Sequence, residues 1–276
     1  MDAPDIRELF AGRTEYYQSG SWRIRRHRDP EQTRYLVAIH RFLLPEFLRI
    51  FRSEGALLEP CDIFCDPDEP TPMLITNRTP IAIRLNVRST AFWCQVIYQL
   101  SHELGHFFVR QRKPIPDRTR ILRWFEETFC EAMSDVALEY AAEHWSECDL
   151  AGLNPGYATS IREYQTRLLN AYATTPQAVR SPLRSCVTPG DLAELEKECA
   201  MNRVARSVER DLIFQHLRRS PHSAATIAGY TEYIRPPTDD PTIGALLLDL
   251  DRWESTATPD QLETIHLLRM IHPNIR

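Results

Sequence analysis

The chain has 276 residues, 43% of them hydrophobic and 26% charged, the balance of a globular protein able to bury a core and not that of a disordered chain. A formal net charge of -5, with an isoelectric point near 6.0, argues against broad attraction to nucleic acid or to an anionic membrane. Lysine is confined to Lys113 and Lys197, so arginine carries nearly all the positive charge, which reads as a coding bias more than a function.

In chain order, Met1-Asp2-Ala3-Pro4-Asp5 starts acidic and no long apolar stretch follows, so neither a secretory signal nor a membrane span is expected and the location expected is cytoplasmic. Trp22 stands beside Arg23, Arg25, Arg26, His27 and Arg28, a run read as a solvated charged loop in preference to a phosphate-binding patch. Asp29-Pro30-Glu31-Gln32 has a capping side chain, proline at the first helical position and a glutamine able to reach back, so a helix is predicted from here to Ser53. Pro45 should kink or split it and Gly55 should end it. Residues 61–80 hold four prolines and several acids and read as a loop leading into short strands.

Ile81, Ile83, Leu85 and Val87 alternate with Ala82, Arg84 and Asn86, the period of a strand with one buried face; Met73 to Thr76 is its candidate neighbour. From Phe92 to Val109 the period changes to that of a helix, apolar on most of its circumference. Inside it lies His102-Glu103-Leu104-Gly105-His106. Histidines four apart on a helix of 3.6 residues per turn point the same way, so both can reach one metal ion. Glu103, about 100° around from His102, falls beside such an ion and can take a proton from water there. The bland alternative is a helix carrying ordinary histidines, but buried imidazoles need partners, and one metal satisfies two.

After the break at Pro114-Ile115-Pro116, Asp117 is the capping candidate for a second helix continuing through Tyr140. On it Glu127, Glu131 and Asp135 recur every four residues and form one stripe. Acids aligned in this way repel each other, so an opposing cation is expected, either a metal or arginine side chains. Beyond Tyr140 the chain reads as wholly helical, with breaks near Asn154-Pro155-Gly156, between Pro176 and Pro189, and across 235–241. The longest helix is expected to start at Thr188-Pro189 and run some thirty residues, and a short final one to open at Thr258-Pro259-Asp260-Gln261 and stop before Pro273. Seven cysteines, an odd number irregularly spaced, do not form a disulfide framework; Cys61 and Cys65 make a CxxxC with no second pair to complete a tetrahedral site.

The HELGH segment followed by Glu131-Ala132-Met133-Ser134-Asp135 resembles the gluzincin zinc metallopeptidases, of which thermolysin-type enzymes and the small minigluzincins are examples. The resemblance implies His102 and His106 as zinc ligands, Glu103 as general base, Glu131 as third ligand and Asp135 as the acid orienting a ligating histidine. The link between the two helices is longer than the family's, which keeps Glu127 as the alternative third ligand. A looser resemblance joins HELGH and the downstream Glu-Ala helix to the ImmA/IrrE group of intracellular zincins, associated with cleaving or controlling transcriptional repressors. The longer patterns FWCQVIYQLSHELGH and WFEETFCEAMSD also look like small bacterial zincin-like proteins. Together these cover residues 92–140.

Taken with the strand and helix patterns on either side, the resemblance implies an α+β, mostly α fold: a zincin-like core in residues 1–150, with a short β-sheet preceding the HExxH helix, and, from the helical pattern alone, a helical region in 151–276. It also implies hydrolysis of an intracellular peptide or protein by zinc-activated water, the peptide lying as an added strand along the strand that runs into the metal helix. Tyr157, Tyr164, Tyr230, Tyr233, His216 and His222 are candidates for stabilising the oxyanion, with none singled out. Two rival readings stand beside it: a regulatory or binding protein on the same scaffold, or a purely structural metal. No nucleic-acid or membrane partner is expected.

Overall fold

In a computed structural model, the structure describes residues 15–112, 122–199, 202–235 and 246–272. The fold belongs to the α+β class, mostly helical, with a small mixed sheet. Contacts divide the chain into two units, residues 1–107 with 137–165, and residues 108–136 with 166–276. The boundaries fall inside helices.

The first unit begins with strands β1 (Tyr16–Ser19) and β2 (Trp22–Arg25), then helix α1 (Pro30–Ile50), strands β3 (Cys61–Cys65), β4 (Met73–Ile75) and β5 (Ile81–Leu85), and helix α2 (Trp93–Gln111). The five strands form one sheet in the order β1-β2-β3-β5-β4, parallel between β2 and β3 and between β3 and β5, antiparallel at both margins. Register puts Ile24, Ile63 and Ile83 in one row across the three inner strands, and all three are fully buried. Gly20 turns β1 into β2 at φ 58, backbone that a side chain would strain.

Several expectations are corrected. The arginine-rich run is a loop only from Arg26 to Arg28: Trp22–Arg25 is a strand, Trp22 is buried, and Arg23 grips the buried Asp62 at 2.7 and 3.0 Å, with Arg78 on the same carboxylate at 2.8 Å. Cys61–Cys65 is an inner strand, its apolar residues outweighing the prolines that follow. Four residues of strand separate the two cysteines by about 13 Å, and burial pushes both thiols up, Cys65 to about 12. Strand β5 is not an edge, since β3 and β4 take both of its sides; β4 is the sheet margin there.

Helix α1 starts as predicted, the Asp29 side chain accepting the Glu31 N–H, and runs unbroken through Pro45 to Ile50. Its end comes before Gly55: Arg52 takes the left-handed conformation at φ 50, while Ser53 N–H reaches the Leu48 carbonyl (2.9 Å) and Arg52 N–H that of Arg49 (3.2 Å), which satisfies carbonyls the helix leaves open. Gln32 does not reach back to its own helix. Its Oε1 accepts the Thr90 N–H (2.6 Å), and its carbonyl accepts the Thr90 hydroxyl (2.7 Å), which fixes the turn just ahead of α2. Packed beneath Trp22, with ring centroids 5.0 Å apart, lies His40 of α1.

Helix α3 (Arg123–Glu143) carries the chain onward, followed by α4 (Tyr157–Asn170) and α5 (Gln177–Arg180). The Pro114–Pro116 break and Asp117 lie outside the described residues, as do parts of the 235–241 break. The second unit continues with α6 (Pro189–Cys199), a single 3-10 turn at Val204–Arg206, α7 (Ser207–Arg219) and α8 (Ser223–Ala228). The expected thirty-residue helix is therefore two helices joined through that turn. The chain after Tyr140 is also not wholly helical: strands β6 (Ile234–Arg235) and β7 (Leu247–Leu248) pair antiparallel. Helices α9 (Leu250–Thr256) and α10 (Pro259–Ile271) follow, the latter opened by a reciprocal Thr258–Gln261 cap. His216 Nε2 meets Ser223 Oγ and Thr264 Oγ1, each at 3.1 Å, tying α7, α8 and α10 together.

His40 gives the first unit a pH signature. Burial pushes it down to about 4, and among the described residues neither ring nitrogen finds a hydrogen-bond partner. Because the unfolded chain binds the proton more readily, the stability held above about pH 6.5 is lost as pH falls toward 4. His40→Leu should flatten the fall of the thermal midpoint over that window and stabilise the protein at neutral pH by about 1 kcal/mol, the cost of orphaned buried nitrogens being removed. A midpoint-versus-pH curve that is the same in both proteins would contradict this.

Candidate metal centre

Helix α2 runs Trp93–Gln111, against the predicted 92–109, and its buried positions follow the expected stripe: Val96, Ile97, Leu100, Leu104, Phe107 and Phe108 are at most 1% exposed. The loop tie through Gln32 and Thr90 sets its start. Cys94 N–H of the first turn donates to the Tyr157 hydroxyl at 3.3 Å, one of the amide groups a helix leaves without an internal partner. Gln99 Nε2 donates to the Asn86 carbonyl at 2.8 Å, joining the helix to the end of β5.

On this scaffold His102 and His106 face one another, ring centroids 4.9 Å apart and planes inclined at 72°. Their Nε2 atoms are separated by 3.2 Å. Two nitrogen lone pairs cannot face each other at that distance without a proton or a cation between them. Two nitrogens held at about 2.0–2.1 Å on a tetrahedral zinc lie about 3.3 Å apart, so the pair already has the spacing of two ligands. Glu103, next in the helix, is 2% exposed and His102 8%, so this acid sits out of bulk water, as a general base in a dry site must.

In the second unit, the first half of α3 is dense with buried acids. Glu126 accepts the Tyr230 hydroxyl at 2.5 Å, with Arg110 Nε at 3.8 Å; burial pushes the Tyr230 phenol up, and Glu126 beside it adds to the shift. Glu131, fully buried, receives Arg206 Nη2 at 2.6 Å and Arg203 Nε at 3.3 Å. Asp135 has Arg210 Nε at 3.7 Å. Burial opposes the charge on Arg210, but Asp135 and Asp211 outweigh it and hold its pKa up. Glu127 lies one turn before Glu131 and is half-buried. Removing one member of a pair such as Arg206–Glu131 strands a buried charge, at a cost of about 3–5 kcal/mol.

The sequence expected a cation against this stripe, a metal or arginine, and arginines meet Glu131 and Asp135. Sequence reasoning missed Arg203, Arg206 and Arg210 as their partners. Their signal was faint: arginines recurring about every fourth residue within a segment read as one amphipathic helix.

Five of the six downstream aromatic and histidine candidates have a structural engagement. Tyr157 caps α2; Tyr164 meets Tyr98 edge-on at 6.3 Å; Tyr230 serves Glu126. Tyr233 stacks on Trp253 at 4.7 Å, His216 bridges two hydroxyls, and His222 stands at the start of α8. Compared with known protein families, with proteins of curated function and with solved structures, the chain matches none.

The start of α3 is fastened from α6, Glu196 Oε2 accepting the Arg123 N–H at 3.1 Å. Burial pushes Glu196 up to about 7 against the hydrogen bonds that favour its charge. Its folded pKa is therefore raised, so the stability present below about pH 4.5 is lost as pH rises through 7. Glu196→Gln, which keeps the carbonyl acceptor, should abolish this slope and stabilise the protein more at pH 8 than at pH 5 in urea denaturation. An equal effect at both values would refute the shift.

Proposed function

We propose that the protein is a zinc-dependent metallopeptidase that hydrolyses peptide bonds in an intracellular protein or peptide. The observation that carries this is the 3.2 Å separation of the two Nε2 atoms, the spacing of two ligands on one tetrahedral ion, beside a buried carboxylate. His102 and His106 are the histidine donors in this reading, and the resemblance supplies Glu131 as third ligand, with Glu127 as its alternative. Asp135 is the orienting acid in the same reading.

A zinc ion, when bound, supplies Lewis acidity that lowers the pKa of water from 15.7 toward about 7. Glu103 takes the proton released and returns it to the amine that leaves, while its burial keeps competing water away. The substrate chain extends the sheet at β4, the margin strand beside β5, which still has one side for backbone hydrogen bonds. Among the described residues no helix is long and apolar enough to cross a membrane. No nucleic acid is proposed as a partner.

The rival reading is a regulatory or binding protein on this scaffold, with weak proteolysis or a structural metal. The arginines on Glu131 and Asp135 favour it, because they do for those acids what a metal would. Buried Glu103 favours the enzyme, since a structural site gains little from an acid beside the ion.

Glu103→Gln separates the two. It should leave zinc content by elemental analysis unchanged and lower peptide-library cleavage by at least about 100-fold. Cleavage at the wild-type rate by that variant would remove Glu103 from the chemistry, and a wild type that neither binds zinc nor cuts would sink the proposal.

A further inference from the structure

Arg23 and Arg78 are two cations on one buried anion, and we infer that together they form a receptor site for a phosphate monoester carried on a peptide. Register sets Arg23 beside Asp62 and Asp62 beside Ala82. Side chains alternate along a strand, so these residues lie on the sheet face opposite to the Ile24, Ile63 and Ile83 row. All of them belong to the first unit, and none takes part in the metal chemistry.

Asp62 receives Arg23 through both carboxylate oxygens, Nε at 2.7 Å and Nη2 at 3.0 Å, and Arg78 Nη2 at 2.8 Å. The acid is 1% exposed, whereas Arg23 and Arg78 are 38% and 35% exposed, so the anion is sealed while both cations reach solvent. Two positive charges against one negative leave the group cationic. Both Nη2 atoms sit on Asp62 Oδ2, which holds them no more than about 6 Å apart, a span that one tetrahedral oxyanion bridges with bonds of about 2.8 Å. Arg23 is also steadied by Tyr16, its guanidinium lying 4.9 Å from the ring centroid. A side chain already fixed in this way loses less rotamer freedom when an anion arrives.

The chemistry of the pair selects the anion. Guanidinium forks match the oxygens of a phosphate, and a phosphorylated side chain brings about -1.5 to -2 of charge at neutral pH, so it is attracted to two cations more strongly than a carboxylate is. The openness of the site selects the carrier. A free anion on an exposed face keeps little of the attraction, because water and salt screen it, whereas a peptide adds contacts along the sheet. Two residues further on β2 and on the same face, Arg25 lies over the Phe64 ring at 4.6 Å, a second surface for such a chain. A nucleic acid is a polyanion and would meet the protein's net charge of -5; a single phosphate responds to the local field of the two arginines.

The test is fluorescence anisotropy with a labelled alanine–glycine peptide carrying one central phosphoserine, beside the same peptide with serine, inorganic phosphate as competitor and a short single-stranded DNA oligonucleotide. The full-length proteins are wild type, Arg78→Gln, Arg23→Gln and, as a charge control, Arg88→Gln, which alters an exposed arginine beyond the end of β5. Arg78→Gln leaves Arg23 on Asp62 and Arg23→Gln leaves Arg78 there, so neither strands the buried acid, and one decides the matter should the other not fold. The expected result is a phosphopeptide bound at least about 10-fold more tightly than the serine peptide, the scale of one charged hydrogen bond. That advantage should vanish in either site variant and stay within about 2-fold of wild type in Arg88→Gln. Equal affinity for the two peptides overturns the inference, as does an advantage that survives in a folded site variant or disappears in Arg88→Gln as well. Displacement by inorganic phosphate as effective as that by unlabelled phosphopeptide, or tighter binding of the oligonucleotide, overturns the peptide carrier.

Discussion

A charge taken out of water must meet an opposite charge or shed its own, and the helices α2 and α3 are built around that constraint. Each carries ionisable side chains at positions an amphipathic helix would give to leucine. The protein answers the demand in two ways. On α3, Glu131 and Asp135 receive arginines, and Glu126 receives a phenol with an arginine nearby. On α2, His102 and His106 stand nitrogen to nitrogen, and two ring nitrogens at that distance call for a shared proton or a shared cation. His40 and Glu196 show the remaining solution, a pKa displaced by burial until the neutral form prevails.

The scarcity of lysine acquires a structural sense here. The guanidinium group is more weakly hydrated than an ammonium and presents its donors in a planar fork, so it enters a buried ion pair at lower desolvation cost. Arg206 and Arg210, at 2% and 4% exposure, occupy positions where a lysine would lose more hydration and offer a poorer match to a carboxylate. Coding bias accounts for arginines scattered over the surface; it does not account for those matched to acids in the interior.

Local signals in the sequence were reliable wherever one element determined its own form. The α1 cap at Asp29, strand β5, the length of α2 and the Thr258 opening of α10 all follow from neighbouring residues, and all stand in the structure. Most of the failures come from partners distant along the chain. Trp22–Arg25 reads as charged loop because the partner that neutralises Arg23, Asp62, is thirty-nine residues away. The stripe of 189–213 reads as one helix because periodicity survives a single 3-10 turn. Gln32 reads as a cap because its actual partner, Thr90, is fifty-eight positions distant. At the candidate centre, the histidine pair was legible because both members sit on one helix, whereas the arginines answering Glu131 and Asp135 come from another element and left only a faint recurrence in the sequence.

The same distinction bears on the choice between the two glutamates. A motif assigns roles by spacing along the chain, and by spacing Glu131, with Asp135 four residues on, is the better match. Electrostatics assigns them by surroundings. An ion on Glu131 would lie beside the Arg206 and Arg203 charges, and their repulsion of a divalent cation opposes its binding there. The resemblance of EAMSD to its family thus concerns the shape of a helix face more than the identity of the atom that would touch the metal. Where a nearby positive charge is already fixed in the fold, the surroundings outweigh the spacing.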